Sequence, residues 1–256
     1  MLSNTGRALQ SRVNVLLLIV AALAWALPCL AAEGEATKEA KPAKAEPVMP
    51  DVDWVLEHNL DDKGKGPQPE FRKTKGWKMA DYTGTGAVKV EDGTVILEMG
   101  NEMTGVKWHG PIARMNYEIT LDAKRVDGSD FFCGLTFPYG EDPCSFIVGG
   151  WGGTCVGISS IDFYDAYNNE TARFREFELN RWYRIRVRVT EGKIEAWIDD
   201  DQLVNLEVKK RKIGIRWEMQ ACVPLGIATW RTTGAIRNIR MAALPAPIGA
   251  AAVEKK

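Results

Sequence analysis

Residues 148–157 read VGGWGGTCVG, a stretch that sets one large indole, Trp151, among five glycines. Glycine lets the backbone adopt positive φ angles and lets another group approach the chain closely. An exposed indole offers a flat apolar face that suits the C–H face of a sugar ring. The stretch is equally explained if Trp151 covers the core and the glycines form bulges around it. Both interpretations stay open at the level of sequence.

The next polar segment, residues 161–170 (IDFYDAYNNE), gathers three acids, two amides and two tyrosines. Such groups can hydrogen-bond the hydroxyls of a sugar, although Asp and Asn are also common in loops simply because they form turns. The glycine spacing before this segment does not match a phosphate-binding loop, which excludes a nucleotide site there. The predicted substrate-binding residues are Trp151, Tyr164, Asp165, Asn168 and Trp230.

The two ends of the chain differ from its middle. Residues 1–32 carry Arg7 and Arg12 before an apolar run and a small-residue end, which predicts a signal peptide cleaved near Ala32, with an uncleaved anchor as the alternative. We therefore expect an exported protein of the periplasm, the cell envelope or the extracellular space. Residues 33–50, rich in Ala, Lys, Glu and Pro, predict a flexible linker, and residues 245–256 a loose tail.

The remaining residues, 51–244, predict one folded domain. Removing residues 1–32 takes away two of the 33 basic residues and none of the 34 acidic ones, which leaves a formal net charge of −3. This balance argues against nucleic acid as a partner. We also expect no membrane span once the signal peptide is removed.

Four cysteines follow the predicted signal peptide: Cys133, Cys144, Cys155 and Cys222. Export would place them where disulfides persist. Because Cys133 and Cys144 flank a turn signal, we predict that they pair with each other and that Cys155 pairs with Cys222. A zinc site is the less favoured alternative, since no CxxC spacing occurs and both histidines are distant in sequence.

Alternation of apolar and polar residues recurs along the chain and predicts half-buried strands. Residues 182–199 show it on both sides of Thr190-Glu191-Gly192, which predicts a long antiparallel hairpin. Ten or so short strands without helix signals predict an all-β jelly-roll sandwich of antiparallel strands. The other predicted strands are residues 88–90, 94–99, 117–122, 131–137, 145–148, 156–161, 213–217, 226–230 and 236–241.

One face of the predicted hairpin carries a row of arginines, Arg184, Arg186 and Arg188. The row could line a sugar-facing concave sheet. A solvated face with cross-strand ion pairs is the favoured interpretation.

Three segments carry a resemblance to a known family: GSDFFCGLTFP (128–138), RWYRIRVRVTEGKIEAWIDDDQLV (181–204) and GIATWRTTGAIRNIRM (226–241). Over roughly residues 70–243 the chain resembles the 3-keto-disaccharide hydrolase domain, also described as a 3-keto-glucoside 1,2-lyase and 3-keto-2-hydroxy-glucal hydratase domain. That resemblance implies the concanavalin A-like lectin/glucanase sandwich. It also implies cleavage of 3-keto-glycosides by elimination and hydration, because a ketone at C3 acidifies the C2 proton.

Such chemistry needs a base and a group that stabilises an enolate. Under this resemblance Asp162 is the candidate base, Arg231 could hold the oxyanion, and His109 could take a proton or bind a metal. No cofactor is certain, and a divalent metal ion could assist. Pro138 stands where the family pattern places an arginine. The alternative function is therefore a non-catalytic carbohydrate-binding or cell-surface interaction module on the same sandwich.

Overall fold

The computed structural model describes residues 76–244. The predicted signal peptide, linker and tail, together with residues 51–75 of the predicted domain, lie outside the described residues. No helix long and apolar enough to cross a membrane occurs within residues 76–244.

The described chain forms two antiparallel sheets, which confirms the prediction of an all-β jelly-roll sandwich. The strands are β1 (Trp77–Met79), β2 (Val88–Glu91), β3 (Thr94–Leu97), β4 (Met103–Trp108), β5 (Tyr117–Gly128), β6 (Cys133–Tyr139), β7 (Asp142–Gly150), β8 (Cys155–Ser159), β9 (Arg173–Phe174), β10 (Tyr183–Thr190), β11 (Lys193–Ile198), β12 (Asp201–Glu207), β13 (Gly226–Trp230) and β14 (Thr232–Ala243). One sheet has the strand order β12-β11-β10-β5-β14-β3-β2 and is called here the charged sheet. The other has the order β1-β4-β13-β6-β7-β8-β9 and is called the covered sheet.

The charged sheet follows the alternation of its sequence. In β5 every second residue from Tyr117 to Arg125 is buried against the other sheet, and β10 pairs with it so that Ile185 lies opposite Leu121. The side chains between these positions point to solvent and form cross-strand ion pairs. Burial of one apolar face therefore sets the register of this sheet.

The arginine row belongs to that outer face. Arg184 lies 3.0 Å from Asp122, Arg188 lies 2.8 Å from Glu118, and Arg186 stacks over a tryptophan ring. This confirms the favoured interpretation of a solvated face with cross-strand ion pairs.

The covered sheet is buried on both of its faces along β6, β7 and β8. Small residues on its outer face let other segments lie directly on it. A Cβ on Gly134 would come 2.9 Å from the Met219 side chain, and a Cβ on Gly157 would come 3.0 Å from the carbonyl oxygen of Ala166. The glycines thus provide the room in which a short 3₁₀ helix (Trp217–Cys222) and the polar loop of residues 161–170 cover the sheet.

The strand prediction differs from the structure in two ways: one predicted strand does not form, and strands β1, β4, β9 and β12 were not predicted. Residues 213–217 are not a strand: Ile213 makes an isolated bridge to Ile161, and the chain then enters the 3₁₀ helix. Strand β4, which was not predicted, is buried on both faces at Met103–Val106, so its sequence does not alternate. Alternation of apolar and polar residues marks strands that have one solvated face, so it gives no signal for β4.

The predicted disulfides are wrong within the described residues, because all four cysteines are free and buried. The turn at residues 140–141 pairs Tyr139 with Asp142, so that Cys144 falls opposite Phe137 and Cys133 opposite Val148. Four residues of strand separate the two cysteines, about 13 Å, which is too far for a bond.

The second predicted pair is absent as well. The Cys222 sulfur lies 3.3 Å from the Tyr82 hydroxyl and 3.8 Å from the Val106 carbonyl oxygen, whereas Cys155 begins β8. Burial raises the pKa of Cys155 to about 11 and that of Cys222 to about 12. Both are unreactive thiols near neutral pH.

Candidate functional site

The glycine-rich stretch forms the turn between β7 and β8, and its backbone is left-handed. The φ angle is +77° at Gly149, +49° at Trp151, +85° at Gly152 and +106° at Gly153. The Trp151 side chain is 38% exposed. Trp151 is therefore not a core residue, and the glycines hold it at the surface.

A buried arginine holds this turn from below. Arg125, 7% exposed, ends the inward row of β5, and its Nη2 donates to the carbonyl oxygens of Gly153 at 2.8 Å, Asp130 at 3.1 Å and Gly149 at 3.3 Å. Its guanidinium also lies 5.3 Å from the centroid of the Phe132 ring. A Cβ on Gly149 would approach Nη2 to 2.6 Å. Gly149 therefore lacks a side chain because the guanidinium occupies that space.

Asp130 fastens the same turn from the side. One carboxylate oxygen accepts the backbone N–H of Phe131 at 2.7 Å, and the other accepts the N–H of Gly152 at 3.1 Å. These contacts and those of Arg125 fix the position from which Trp151 projects.

Trp151 borders a cleft of about 220 Å³ on the outer face of the covered sheet, called here the Trp151 cleft. Aromatic and aliphatic side chains form much of its wall, and charged groups interrupt them. The cleft is lined by Asp130, Phe131, Ile147, Trp151, Ser159, Arg216, Glu218, Met219 and Trp230.

The charged part of the wall is an ion-paired group centred on Arg216. Its Nη1 lies 3.0 Å from an Asp165 oxygen, and its Nε lies 3.2 Å from both oxygens of Glu218. The guanidinium carbon is 5.9 Å from the centroid of the Trp151 ring. The hydrogen bond that Arg216 donates to the Glu218 carboxylate is the main cause that raises the pKa of Arg216. Arg216 therefore remains charged at neutral pH.

The Ser159 hydroxyl is the unusual polar group of the wall. The residue is 1% exposed, and its Oγ has no hydrogen-bond partner within residues 76–244. A buried hydroxyl without a partner costs about 1–3 kcal/mol. Such a group is a natural contact for a polar atom of a ligand in the cleft.

A second cleft of about 320 Å³, called here the Trp217 cleft, adjoins the first. Glu218 and Trp230 line both clefts, so the two share a wall. Its lining residues are Asp81, Tyr82, Thr83, Glu102, Met103, Trp217, Glu218, Gln220, Ala221 and Trp230.

Further rings continue from Trp151 on its other side. The Trp151 and Tyr167 ring centroids are 6.1 Å apart, and those of Tyr167 and Phe174 are 5.4 Å apart. Tyr167 is 49% exposed and Phe174 is 58% exposed. These three residues are called here the aromatic row.

The predicted substrate-binding residues divide into two groups. Trp151 and Trp230 line the Trp151 cleft, and Asp165 contacts Arg216 in its wall. Asn168 donates from Nδ2 to Asp165 at 2.8 Å, which shapes the loop. Tyr164 is exposed and lines neither cleft.

Asp162, the candidate base, is engaged elsewhere. One carboxylate oxygen accepts the backbone N–H of Lys212 at 2.7 Å, and the other lies 2.6 Å from Nε of Arg211. The hydrogen bond from Lys212 and that from Arg211 lower the pKa of Asp162. A carboxylate held in this way is a weak base and lines neither cleft, so the geometry does not favour it as a catalytic group.

The other two catalytic candidates also lie apart from the Trp151 cleft. His109 follows β4 near the sheet edge, and burial together with Lys78 and Lys107 lowers the pKa of its imidazole. Arg231 follows Trp230 but turns away: its Nε donates to the carbonyl oxygen of Asn101 at 3.2 Å. The structure does not bring these two residues together with Asp162.

Sequence reasoning missed the polar groups that do line the Trp151 cleft. Asp130 stands just before a predicted strand and Ser159 lies inside another. Arg216 lies inside the wrongly predicted strand 213–217, and Glu218 directly follows it. A signal existed for Arg125, because continued alternation along β5 places it on the buried face. A buried arginine in such a position indicates a specific structural partner.

No group of three His, Cys, Asp or Glu side chains within residues 76–244 is arranged to hold a metal ion.

Comparison with known proteins adds the following. No family model and no curated protein matches this chain. Among solved structures with limited similarity to this chain, the carbohydrate binding module CBM66 from Bacillus subtilis is 10% identical, with a TM-score of 0.47, over 66% of this chain and 96% of that one. The Crh5 transglycosylase in complex with NAG is 10% identical, with a TM-score of 0.45, over 67% and 80% of the two chains. Likeness at this level carries no argument about function.

Proposed function

We propose that this protein is an exported carbohydrate-binding protein and that the Trp151 cleft is its binding site. The observation that carries the proposal is the composition of that one cleft. It sets the indoles of Trp151 and Trp230 beside the Arg216–Glu218 pair and the unpartnered hydroxyl of Ser159.

These groups match the two surfaces of a sugar. A pyranose ring has flat C–H faces that pack on an indole, and its edge carries hydroxyls that both donate and accept. Arg216 donates, Glu218 accepts, and Ser159 can do either. A wall of this kind fixes the orientation of a ligand that the aromatic rings hold by burial of apolar surface.

Binding is favoured over catalysis by the state of the two carboxylates. Both oxygens of Asp130 accept backbone N–H groups, and both oxygens of Glu218 contact Arg216. Neither carboxylate is held ready to exchange a proton with a substrate.

A second candidate function is cleavage of 3-keto-glycosides, and the side-by-side placement of Glu218 and Arg216 supports it. When a sugar displaces Arg216, the Glu218 carboxylate could take the C2 proton while the guanidinium stabilises the enolate oxygen. The C1 substituent then leaves as the C1–C2 double bond forms and takes the proton from Glu218, and water adds across that double bond. Net hydrolysis would result.

Titration calorimetry with neutral mono- and oligosaccharides tests the binding function. We expect Trp151→Ala to weaken binding by about 1–3 kcal/mol with little change in thermal stability. Trp182→Ala is the matched control, since this indole lies under Lys124 and Arg237 on the charged sheet. Equal weakening by both variants, or no binding by the native chain, would overturn the proposal.

Incubation with a 3-keto-glucoside and its unoxidised parent, with and without EDTA, tests the second candidate. Release of the aglycone from the 3-keto compound alone, lost in Glu218→Gln, would support catalysis. Intact substrate after prolonged incubation would leave binding as the function.

A further inference from the structure

We infer that the ligand is an extended, non-acidic oligosaccharide that runs from the Trp217 cleft through the Trp151 cleft and along the aromatic row. This inference rests on the proposed carbohydrate binding and adds the length and the charge of the ligand.

The first argument is continuity. The two clefts share Glu218 and Trp230, and Trp151 belongs both to the Trp151 cleft and to the aromatic row. Aromatic side chains therefore border this surface from the exposed Trp217, past the half-buried Trp230, to Trp151 and the rest of the aromatic row. Isolated exposed aromatic residues need no explanation, whereas a connected series beside a polar cleft indicates a binding surface.

The second argument is that the aromatic row is held in place before any ligand arrives. The Asn169 side chain donates to the carbonyl oxygens of Asp165 at 2.7 Å and Ile158 at 2.8 Å, and it accepts the N–H of Thr171 at 2.9 Å. These bonds fasten the segment between Tyr167 and Phe174 to strand β8. A surface ordered in advance loses less entropy on binding, which suits repeated weak contacts along a chain of sugars.

The third argument is charge. Four carboxylates line the two clefts, from Asp81, Glu102, Asp130 and Glu218, against the single guanidinium of Arg216. That guanidinium already faces Asp165 and Glu218. Among the residues that line the two clefts, no other cation is present to neutralise an acidic glycan, whereas a neutral or amino sugar needs none.

The test measures Kd for oligosaccharides of increasing length. Cello-, xylo-, malto- and chito-oligosaccharides of one to six units, with oligogalacturonides of the same lengths as the acidic series, are titrated into the full chain. For at least one neutral or amino-sugar series, we expect Kd to fall at least tenfold between one unit and four. The acidic series should bind at least tenfold more weakly than that series.

Variants separate the parts of the surface. Tyr167→Ala, Phe174→Ala and Trp217→Ala should weaken the longest ligands about five- to fifty-fold while changing the Kd of the shortest less than twofold. Phe163→Ala is the matched control: this exposed ring packs against Lys212, outside the aromatic row, and should change nothing at any length.

The outcomes distinguish the two proposals. If short sugars bind and Kd does not depend on length, or if the acidic series binds as well as the neutral one, the inference is wrong and the proposed function stands. If no ligand of the panel binds, the proposed function fails and the inference fails with it.

Discussion

The charged sheet and the covered sheet enclose the same core but meet their surroundings in opposite ways. The outer face of the charged sheet is open to solvent and carries ion pairs such as Arg188 with Glu118. The outer face of the covered sheet carries small residues, among them Gly134 and Gly157, and lies beneath other segments of the chain. The candidate site therefore occurs where the outer face of the sheet carries small residues. Segments from elsewhere in the sequence pack on that face and form the wall of the cleft.

The difference is sharpest for arginine. Arg188 projects into water from β10, whereas Arg125 projects from β5 toward the interior and supports the turn that carries Trp151. Both residues alternate regularly with their neighbours. The direction in which the strand faces decides which arginine is a surface charge and which is a structural support.

Replacement of these two arginines by methionine should give the largest difference between the sheets. Arg125→Met leaves the carbonyl oxygens of Gly149 and Gly153 without their buried donor, so we expect the free energy of unfolding to fall by about 3 kcal/mol. Arg188→Met removes a half-exposed ion pair and should cost about 0.5 kcal/mol. Urea denaturation measures both values, and a difference below about 1 kcal/mol would contradict the role of Arg125.

Glycine-to-alanine substitutions should also lower the free energy of unfolding unequally in the two sheets, by a smaller difference than the arginine substitutions. Gly149 and Gly192 both have positive φ angles, +77° and +88°, but only Gly149 has an atom, Nη2 of Arg125, at 2.6 Å from the added Cβ. We expect Gly149→Ala to cost about 2 kcal/mol and Gly192→Ala about 1 kcal/mol in urea denaturation. Equal costs would mean that the guanidinium moves aside freely.

Asp162→Asn tests whether the exposed ion pair between Asp162 and Arg211 contributes as little to stability as the ion pairs of the charged sheet. The pKa of Asp162 is lowered in the folded protein, so its stabilising effect is full above the ordinary Asp pKa of about 4 and is lost as pH falls through the lowered value. We expect the variant to have a slightly lower Tm than the native protein at pH 7. The difference in Tm should disappear in strong acid. Melting curves between pH 2 and pH 7 measure it.

The same variant should leave sugar binding unchanged, because Asp162 lines neither cleft. Loss of affinity, or loss of turnover toward a 3-keto-glucoside, would restore Asp162 as a residue of the site.

The smallest expected effect is that of a reducing agent. All four cysteines of the described chain are free and buried, so dithiothreitol should not change Tm. Alkylation without reduction, after unfolding, should modify every one of them. A disulfide would instead contribute about 2–4 kcal/mol, and its reduction would lower Tm measurably.

Prediction from sequence succeeded where contacts are local. The hairpin of β10 and β11 forms as expected, because alternation and a short glycine-bearing turn act within a few residues. The same reasoning placed Cys133 opposite Cys144, and it failed because a shift in the turn position changes every partner along the hairpin.

The candidate site could be predicted only in its aromatic part. Trp151 was identified by its glycines and Trp230 by its position at a strand end, and both line the Trp151 cleft. Arg216 and Glu218 were not identified, because the apolar residues of their segment follow the pattern of a strand although the segment enters a 3₁₀ helix. Arg216 is held in the wall of the cleft partly by its hydrogen bond to Asp165, which is about fifty residues away in sequence.

By itself, the sequence determined that the chain forms antiparallel strands with one charged outer face, since each strand must bury its apolar side wherever it lies. It also marked the turn at Trp151 as unusual. Only the tertiary structure decided why a glycine is needed at residue 149: the guanidinium of Arg125 occupies the space that a side chain of Gly149 would fill. The cleft is likewise a tertiary product, because Asp130, Ser159 and Arg216 come from separate segments that meet once the sheet is covered. Alternation acts between neighbours, whereas a binding cleft requires side chains that are distant in sequence to be brought together by packing.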